Sequence, residues 1–223
     1  MQNTDAECYD IIPEKVGIGM VDTVYTVGYS GFKLDEFIAT LQASQISLVV
    51  DVRSQPYSQW FVDYNKDKLE RTLKQVGIYY RNYAEAFGAR QENRSYYSND
   101  GYLDFEKFAK SPLFLHGFEK LVKSMKQNYR FTLMCAEKDP FHCHRTILVS
   151  RAFHEAGYNV VHLMPNNVTI TQEEIEKRLL ETYFPNRNQI TLFSESLNEE
   201  ECLIEAYRKR NSEIGYSIEE EHR

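Results

Sequence analysis

The chain of 223 residues has no run of about 18 apolar residues, the length a helix needs to cross a bilayer, so the sequence offers no membrane-spanning segment. Its first residues, MQNTDAECYDIIPEK, lack the basic start and apolar middle of a secretory signal. The expected location is the cytoplasm. Cysteine is sparse: of 4 residues, Cys8 and Cys202 lie near the two ends, and only Cys135 and Cys143 lie close together. A disulfide scaffold needs denser, better spread cysteines, so reduced thiols with a role in a site are expected. Internal repeats and low-complexity tracts are missing, which excludes a repeat array. The main body also lacks any strong excess of one charge. Of the net charge of −7, the stretch from Glu195 to Arg223 holds 9 acidic and 4 basic residues, and the rest 24 acidic and 22 basic. A near-neutral body leaves nucleic acid open as a partner, because local patches decide that.

What is present suits one domain of generous size. Hydrophobic residues make up 42% of the chain and aromatics 13%, mostly 16 Tyr and 13 Phe. Tyrosines combine apolar area with a hydroxyl and suit half-wet surfaces and clefts.

Thr23-Val24-Tyr25-Thr26-Val27 alternates β-branched and aromatic residues and predicts a strand, broken by Gly28-Tyr29-Ser30-Gly31. Phe32, Phe37, Ile38 and Leu41 then recur at helical spacing, with Asp35-Glu36 in the favourable first turn. Ile46 to Val50 is a continuous apolar run, as in a strand buried on both faces, and ends at Asp51-Val52-Arg53. A helix from Lys66 to Val76 stops at Gly77, and Ile78 to Tyr83 reads as a third strand. Residues 84–101 read as a long polar loop, which in a compact domain is usually functional or mobile. Tyr102 to Lys110 and Leu113 to Lys126 read as helices, Arg130 to Met134 as a fourth strand, His144 to Ala156 as a helix and Asn159 to Leu163 as a fifth strand. The alternation predicts an α/β fold: a three-layer, Rossmann-like domain with a mainly parallel five-stranded sheet over residues 23–165. Residues 1–22 are a lead-in. Residues 166–223, with helices from Glu173 to Tyr183 and around Leu197 to Arg210, are a C-terminal helical, acidic appendage.

Open parallel sheets bind ligands beyond the carboxyl ends of their strands. Those ends deliver Gly28-Tyr29-Ser30, then Asp51, Arg53 and Ser54, then Glu85 and Arg90, then Cys135-Ala136-Glu137 and the segment from Asp139 to Arg145. Cys143 falls at the predicted start of a helix, where unpaired N–H groups favour a thiolate, and His144 and Arg145 add to that effect. These are the parts of an activated nucleophile. Cys143 or Cys135 is the thiol, Glu137, Asp139 or His144 the acid or base, and Asp51 belongs to the same set. Arg53 and Arg145 would hold an anionic substrate group. Tyr29 and Ser30 join them because the turn before the first helix resembles a phosphate cradle, against the alternative that Ser30 merely caps that helix. A metal reading uses the same residues: Cys135, Cys143 and His144, with His142, Glu137 and Asp139, supply ligands for zinc or iron, although the spacing is not a Cys-x-x-Cys pair. The bland alternatives are two cysteines serving as small core residues and a structural Asp51–Arg53 salt bridge.

Tyr25-Thr26-Val27-Gly28-Tyr29-Ser30, Asp51-Val52-Arg53 with Pro56 and Ser58, and Cys135-Ala136-Glu137 followed by Cys143-His144-Arg145 together resemble the domain-of-unknown-function 488 family. The resemblance implies an α/β fold and no settled reaction. A looser likeness runs to rhodanese-type domains, in which a strand ends in Asp-Val-Arg and a catalytic cysteine, here matched by Cys135, follows a central strand. This chain replaces the short anion-cradling loop of those domains with a longer acidic one that ends in Arg145, so sulfur transfer is analogy alone. Gln189-Ile190-Thr191-Leu192-Phe193 looks like the bacterial sliding-clamp-binding peptide, with Leu192 and Phe193 filling an apolar cleft and Gln189 at its rim. Two functions are therefore expected as rivals. One is a thiol- or metal-dependent transferase or hydrolase acting on an anionic substrate, such as a nucleotide, nucleic acid or sulfur compound. The other is a non-enzymatic nucleic-acid-associated adaptor recruited through residues 189–193, with Tyr96 and Tyr97 stacking on bases.

Overall fold

The structure, a computed structural model, describes residues 22–187 and 198–217. Six strands form one sheet: β1 (Thr23–Gly28), β2 (Leu48–Asp51), β3 (Tyr79–Asn82), β4 (Phe131–Cys135), β5 (Asn159–Leu163) and β6 (Thr169–Thr171), in the order β3-β2-β4-β1-β5-β6. The first five are parallel, as the alternation of strands and helices requires. The sixth is antiparallel to β5 and comes from the segment read as appendage. The two are joined by Pro165-Asn166-Asn167-Val168, where both asparagines have positive φ (62° and 57°), the backbone of a tight hairpin turn.

Two hydrophobic clusters cover opposite faces. Val27, Val49 and Met134 face Phe37 and Leu41 of α1 (Leu34–Ala43) and Leu69 and Leu73 of α2 (Lys66–Gln75). Val24, Val50, Leu133 and Cys135 face the other layer. That layer holds α3 (Ala84–Phe87), α4 (Phe105–Ala109), α5 (Pro112–Lys126), a π-helical turn (Arg145–Ser150) running into α6 (Arg151–Glu155), α7 (Gln172–Tyr183) and α8 (Glu199–Ile214). The molecule is thus a three-layer α/β fold. The region read as a polar loop carries α3, whose Phe87 is buried against Phe114 of α5. Gln189, Leu192 and Phe193 lie outside the described residues, as does Cys8.

The connections fix where a site can form. The helices that follow β1 and β2 pack on one face, and the helix that follows β4 packs on the other. The chain therefore diverges on both sides of the carboxyl end of β4, opening crevices there. Register levels the three ends: Gly28 pairs with Cys135, and Asp51 with Met134.

Candidate metal and anion site

Alternation along β4 turns Cys135 toward the layer that contains the π-helical turn, and Cys143 lies at the entrance of that turn, its carbonyl accepting from Thr146 and Ile147. The two sulfurs meet across the loop between them. Both cysteines are buried, Cys135 2% and Cys143 1% exposed. Glu137 sits at the surface, but its Oε2 lies 3.0 Å from the Cys135 Sγ and 2.9 Å from the Cys143 Sγ. The His144 Nδ1 stands 3.7 Å from the Cys135 Sγ, and its Nε2 lies 3.0 Å from the Val52 carbonyl. A carbonyl only accepts, so Nε2 carries a proton, and Nδ1 is the ring nitrogen that faces the sulfurs. One donor atom from each of Cys135, Glu137, Cys143 and His144 lies within 4.8 Å of the others.

Burial pushes the Cys135 thiol well up, helped by its contact with Cys143. Burial acts the same way on Cys143, but a hydrogen bond from Cys135 and the charges of Arg145 and His144 outweigh it and hold this thiol well down. Burial lowers His144, but the Cys143 thiolate and Glu137 reverse that and leave it raised. Glu137 is raised, chiefly by burial of its carboxyl.

Arg145 is completely buried behind the cluster. Its Nη1 donates to the Glu137 carbonyl (2.6 Å), its Nη2 to the Lys138 carbonyl (3.4 Å) and its Nε to Thr26 Oγ1 (3.3 Å). The guanidinium braces the main chain of the loop that carries Glu137. Thr26, having accepted from Arg145, donates to His162 Nδ1 (2.7 Å), which fixes the proton on Nε2 facing Gln172 (3.1 Å). Gln172 donates to the Tyr207 hydroxyl (2.8 Å), and Tyr207 to Glu176 (2.9 Å). A directed chain of hydrogen bonds so runs from the site to α7 and α8. Sequence reasoning missed it because Thr26 and His162 meet only through the β1–β5 register.

The residues from β2 form the neighbouring half. Asp51 takes Arg53 Nε (2.8 Å) and Nη2 (2.6 Å), and accepts the Tyr80 hydroxyl (2.5 Å). Arg53 Nη2 also donates to the Tyr64 carbonyl (2.9 Å), and the guanidinium stands 5.0 Å from the Tyr29 ring centre. Burial alone would lower Arg53, but the paired carboxylate more than offsets it and keeps the group cationic. Arg53 is 5% exposed, and its Nη1 makes no hydrogen bond. A guanidinium has five N–H donors; three go to Asp51 and Tyr64, and the Tyr29 hydroxyl is close enough to interact with the others.

Other expected residues stand apart. Ser30 is exposed, its amide given to the Ala136 carbonyl, and Lys33 rather than Ser30 caps α1. Asp139 binds Arg178, and His142 binds Arg210. Tyr97 is buried with its hydroxyl on Gln91 and is not free to stack on a base, and Tyr96 is half-buried with one side against Phe108. Arg90 lies over Tyr216.

The model of one family, a domain of unknown function termed DUF488, matches residues 33–152. No curated protein and no solved structure matches the chain.

Proposed function

We infer the activity of this chain, which belongs to the DUF488 family, from the site itself: an enzyme centred on a transition-metal ion, zinc or iron, with Arg53 holding an anionic group of the substrate. The observation that carries this reading is the convergence of two sulfurs, one imidazole nitrogen and one carboxylate oxygen within 4.8 Å. Bonds of 2.0–2.3 Å in a tetrahedral arrangement space donors about 3.3–3.8 Å apart. The sulfur–nitrogen distance of 3.7 Å already fits, and the Glu137 oxygen needs to retreat by about half an ångström. Thiolates and imidazole together suit zinc and iron over magnesium or calcium. The His144 Nε2 proton on the Val52 carbonyl is the outer support that ligating histidines usually have.

Cys135, Cys143 and His144, on the strand end and the helix entrance, would be the fixed ligands. Glu137, on the exposed loop, would be the fourth ligand and the one free to exchange, and its carboxyl beside the thiols could also hold or take up a proton. The ion would supply Lewis-acid activation. Arg53 orients the substrate anion, and Arg145 holds the Glu137 loop.

Metal analysis of protein purified without chelators tests this. About one equivalent of zinc or iron per chain is expected, lost in Cys135→Ser and Cys143→Ser with the circular dichroism of the fold kept. Glu137→Gln should keep most of the metal. Metal-free protein whose two buried thiols alkylate readily at neutral pH overturns the reading. It would favour instead a Cys143 thiolate nucleophile, which the lowered pKa of that thiol supports.

A further inference from the structure

Beside the site, the chain exposes aromatic surface that the metal centre does not use. Trp60, the only tryptophan in the chain, is 82% exposed, and Tyr57, Phe61 and Val62 are exposed with it. Large apolar side chains grouped at a surface mark a place of contact. The loop that carries them is built, not loose. Ser58 Oγ accepts from the amides of Trp60 and Phe61 (3.2 Å each), Asn65 Oδ1 accepts from the Ser58 amide (2.6 Å), and the Lys66 amide binds the Pro56 carbonyl (2.9 Å).

The aromatic surface continues into the site. Phe61 meets Tyr29 edge to face with centroids 5.5 Å apart, and Tyr29 stacks on Tyr64 at 4.4 Å. Over the same Tyr29 ring stands Arg53, nearly fully buried, with its unpartnered Nη1. A flat apolar platform outside and spare N–H donors inside are the two things needed by a molecule that is aromatic at one end and anionic at the other. Leaving a buried donor unsatisfied is costly, so an anion that reaches Nη1, which the surrounding side chains close off from solvent, gains a hydrogen bond that the protein does not supply.

We propose that the Trp60 loop and Arg53 form one binding site for a nucleotide, with the base stacked on Trp60 and Phe61 and a phosphate oxygen on Arg53 Nη1. This rests on the reading of Arg53 as the anion holder given above. A base carries a π-face whatever its identity, so stacking tolerates sequence, and the nucleotide can be free or part of a single strand.

The single tryptophan reports directly on the site. Full-length protein is titrated with AMP, UMP and short oligo(dT) and oligo(rU) strands while Trp60 fluorescence is followed. Saturable quenching is expected. Quenching by mononucleotides and strands alike identifies the free nucleotide as sufficient, and quenching by strands alone identifies a strand as the ligand; either supports the proposal. Trp60→Ala, a surface change that spares the core, should weaken binding of a fluorescein-labelled strand by roughly tenfold, as loss of one base stack does, and Trp60→Phe should recover most of it. No quenching by any of these probes overturns the proposal, as does unchanged strand affinity in Trp60→Ala. Trp60-dependent dimerisation by sedimentation, without nucleotide quenching, overturns it too and assigns the loop to self-association. Metal content of the same sample separates the two claims. A metal-loaded protein that ignores nucleotides loses the nucleotide site and keeps its centre, and a metal-free protein that binds them does the reverse.

Discussion

Gly28 shows how little room the site leaves at the scale of one residue. Its backbone angles are ordinary for an extended strand, so its lack of a side chain is not a matter of conformational freedom. A β-carbon there would fall 1.8 Å from the Glu137 carbonyl oxygen and 3.0 Å from Arg145 Nη1. The end of β1 must lie flat against the loop that brings Glu137 onto the thiols. Gly28→Ala should therefore cost roughly 2–3 kcal/mol, the range for overpacking a tight interior, and should lower metal content as well. Gly77, at φ 77° with nothing within 4 Å of its missing β-carbon, gives the contrast. Gly77→Ala should cost about 1 kcal/mol through backbone strain alone, with metal content unchanged. Urea unfolding and metal analysis of the two variants check both statements.

At the scale of elements, the loop between Cys135 and Cys143 is held from outside the sheet. Arg210 of α8 donates to the Phe141 carbonyl (3.0 Å) and lies over the Phe141 ring (4.3 Å), with Arg178 of α7 over the same ring (4.0 Å) and paired with Asp139 (3.0 Å). The two C-terminal helices thus clamp the turn that sets the distance between Glu137 and Cys143. Arg210→Met keeps the buried stem and removes the donors, and zinc affinity measured against a competing chelating dye should fall by roughly 10-fold or more, as for other outer supports of ligands. An unchanged affinity would mean that the turn holds itself.

Four of the five parallel strands were legible in the sequence because each is a short β-branched or apolar run bounded by polar or glycine residues, and β3, which contains Arg81 and Asn82, was legible from its tyrosines after the Gly77 break. The set of Cys135, Glu137, Cys143 and His144 was legible because all four lie within ten residues that follow one strand. β6 was not, since Thr169-Ile170-Thr171 is too short to show a period, although the Asn166-Asn167 pair, tolerant of left-handed backbone, was a usable sign of the hairpin. Arg145 read as an anion holder because it neighbours the reactive residues. Its full burial and its bonds to main-chain carbonyls depend on where the loop returns, which no local pattern records. The aromatic surface around Trp60 was equally hidden, since apolar residues declare their burial only through their neighbours in space.

Across the whole molecule, the buried hydrogen-bond chain from Arg145 to Glu176 ties stability to pH. Burial first, and the charge of Arg145 second, push His162 from its ordinary 6.5 down to about 3. Between those two values the unfolded chain takes up a proton that the native imidazole refuses. The contribution is fully present above 6.5 and is lost as pH falls, by roughly 1.4 kcal/mol for each pH unit. Urea unfolding at pH 7, 6 and 5 should show this slope, and His162→Gln, which keeps an acceptor for Thr26 and a donor for Gln172, should flatten it. An identical slope in the variant would show that His162 does not govern it.

One carbonyl gives the molecule a further property. Val52 gives its amide to the Met134 carbonyl (3.0 Å) and takes His144 on its own, while the residues on either side of it are Asp51 and Arg53. The imidazole that faces the sulfurs is thereby hydrogen-bonded to the same tripeptide that carries the Arg53 guanidinium. If the proposed ion and anion both bind, one short stretch of strand end holds a support of each, and any shift of that stretch reaches both.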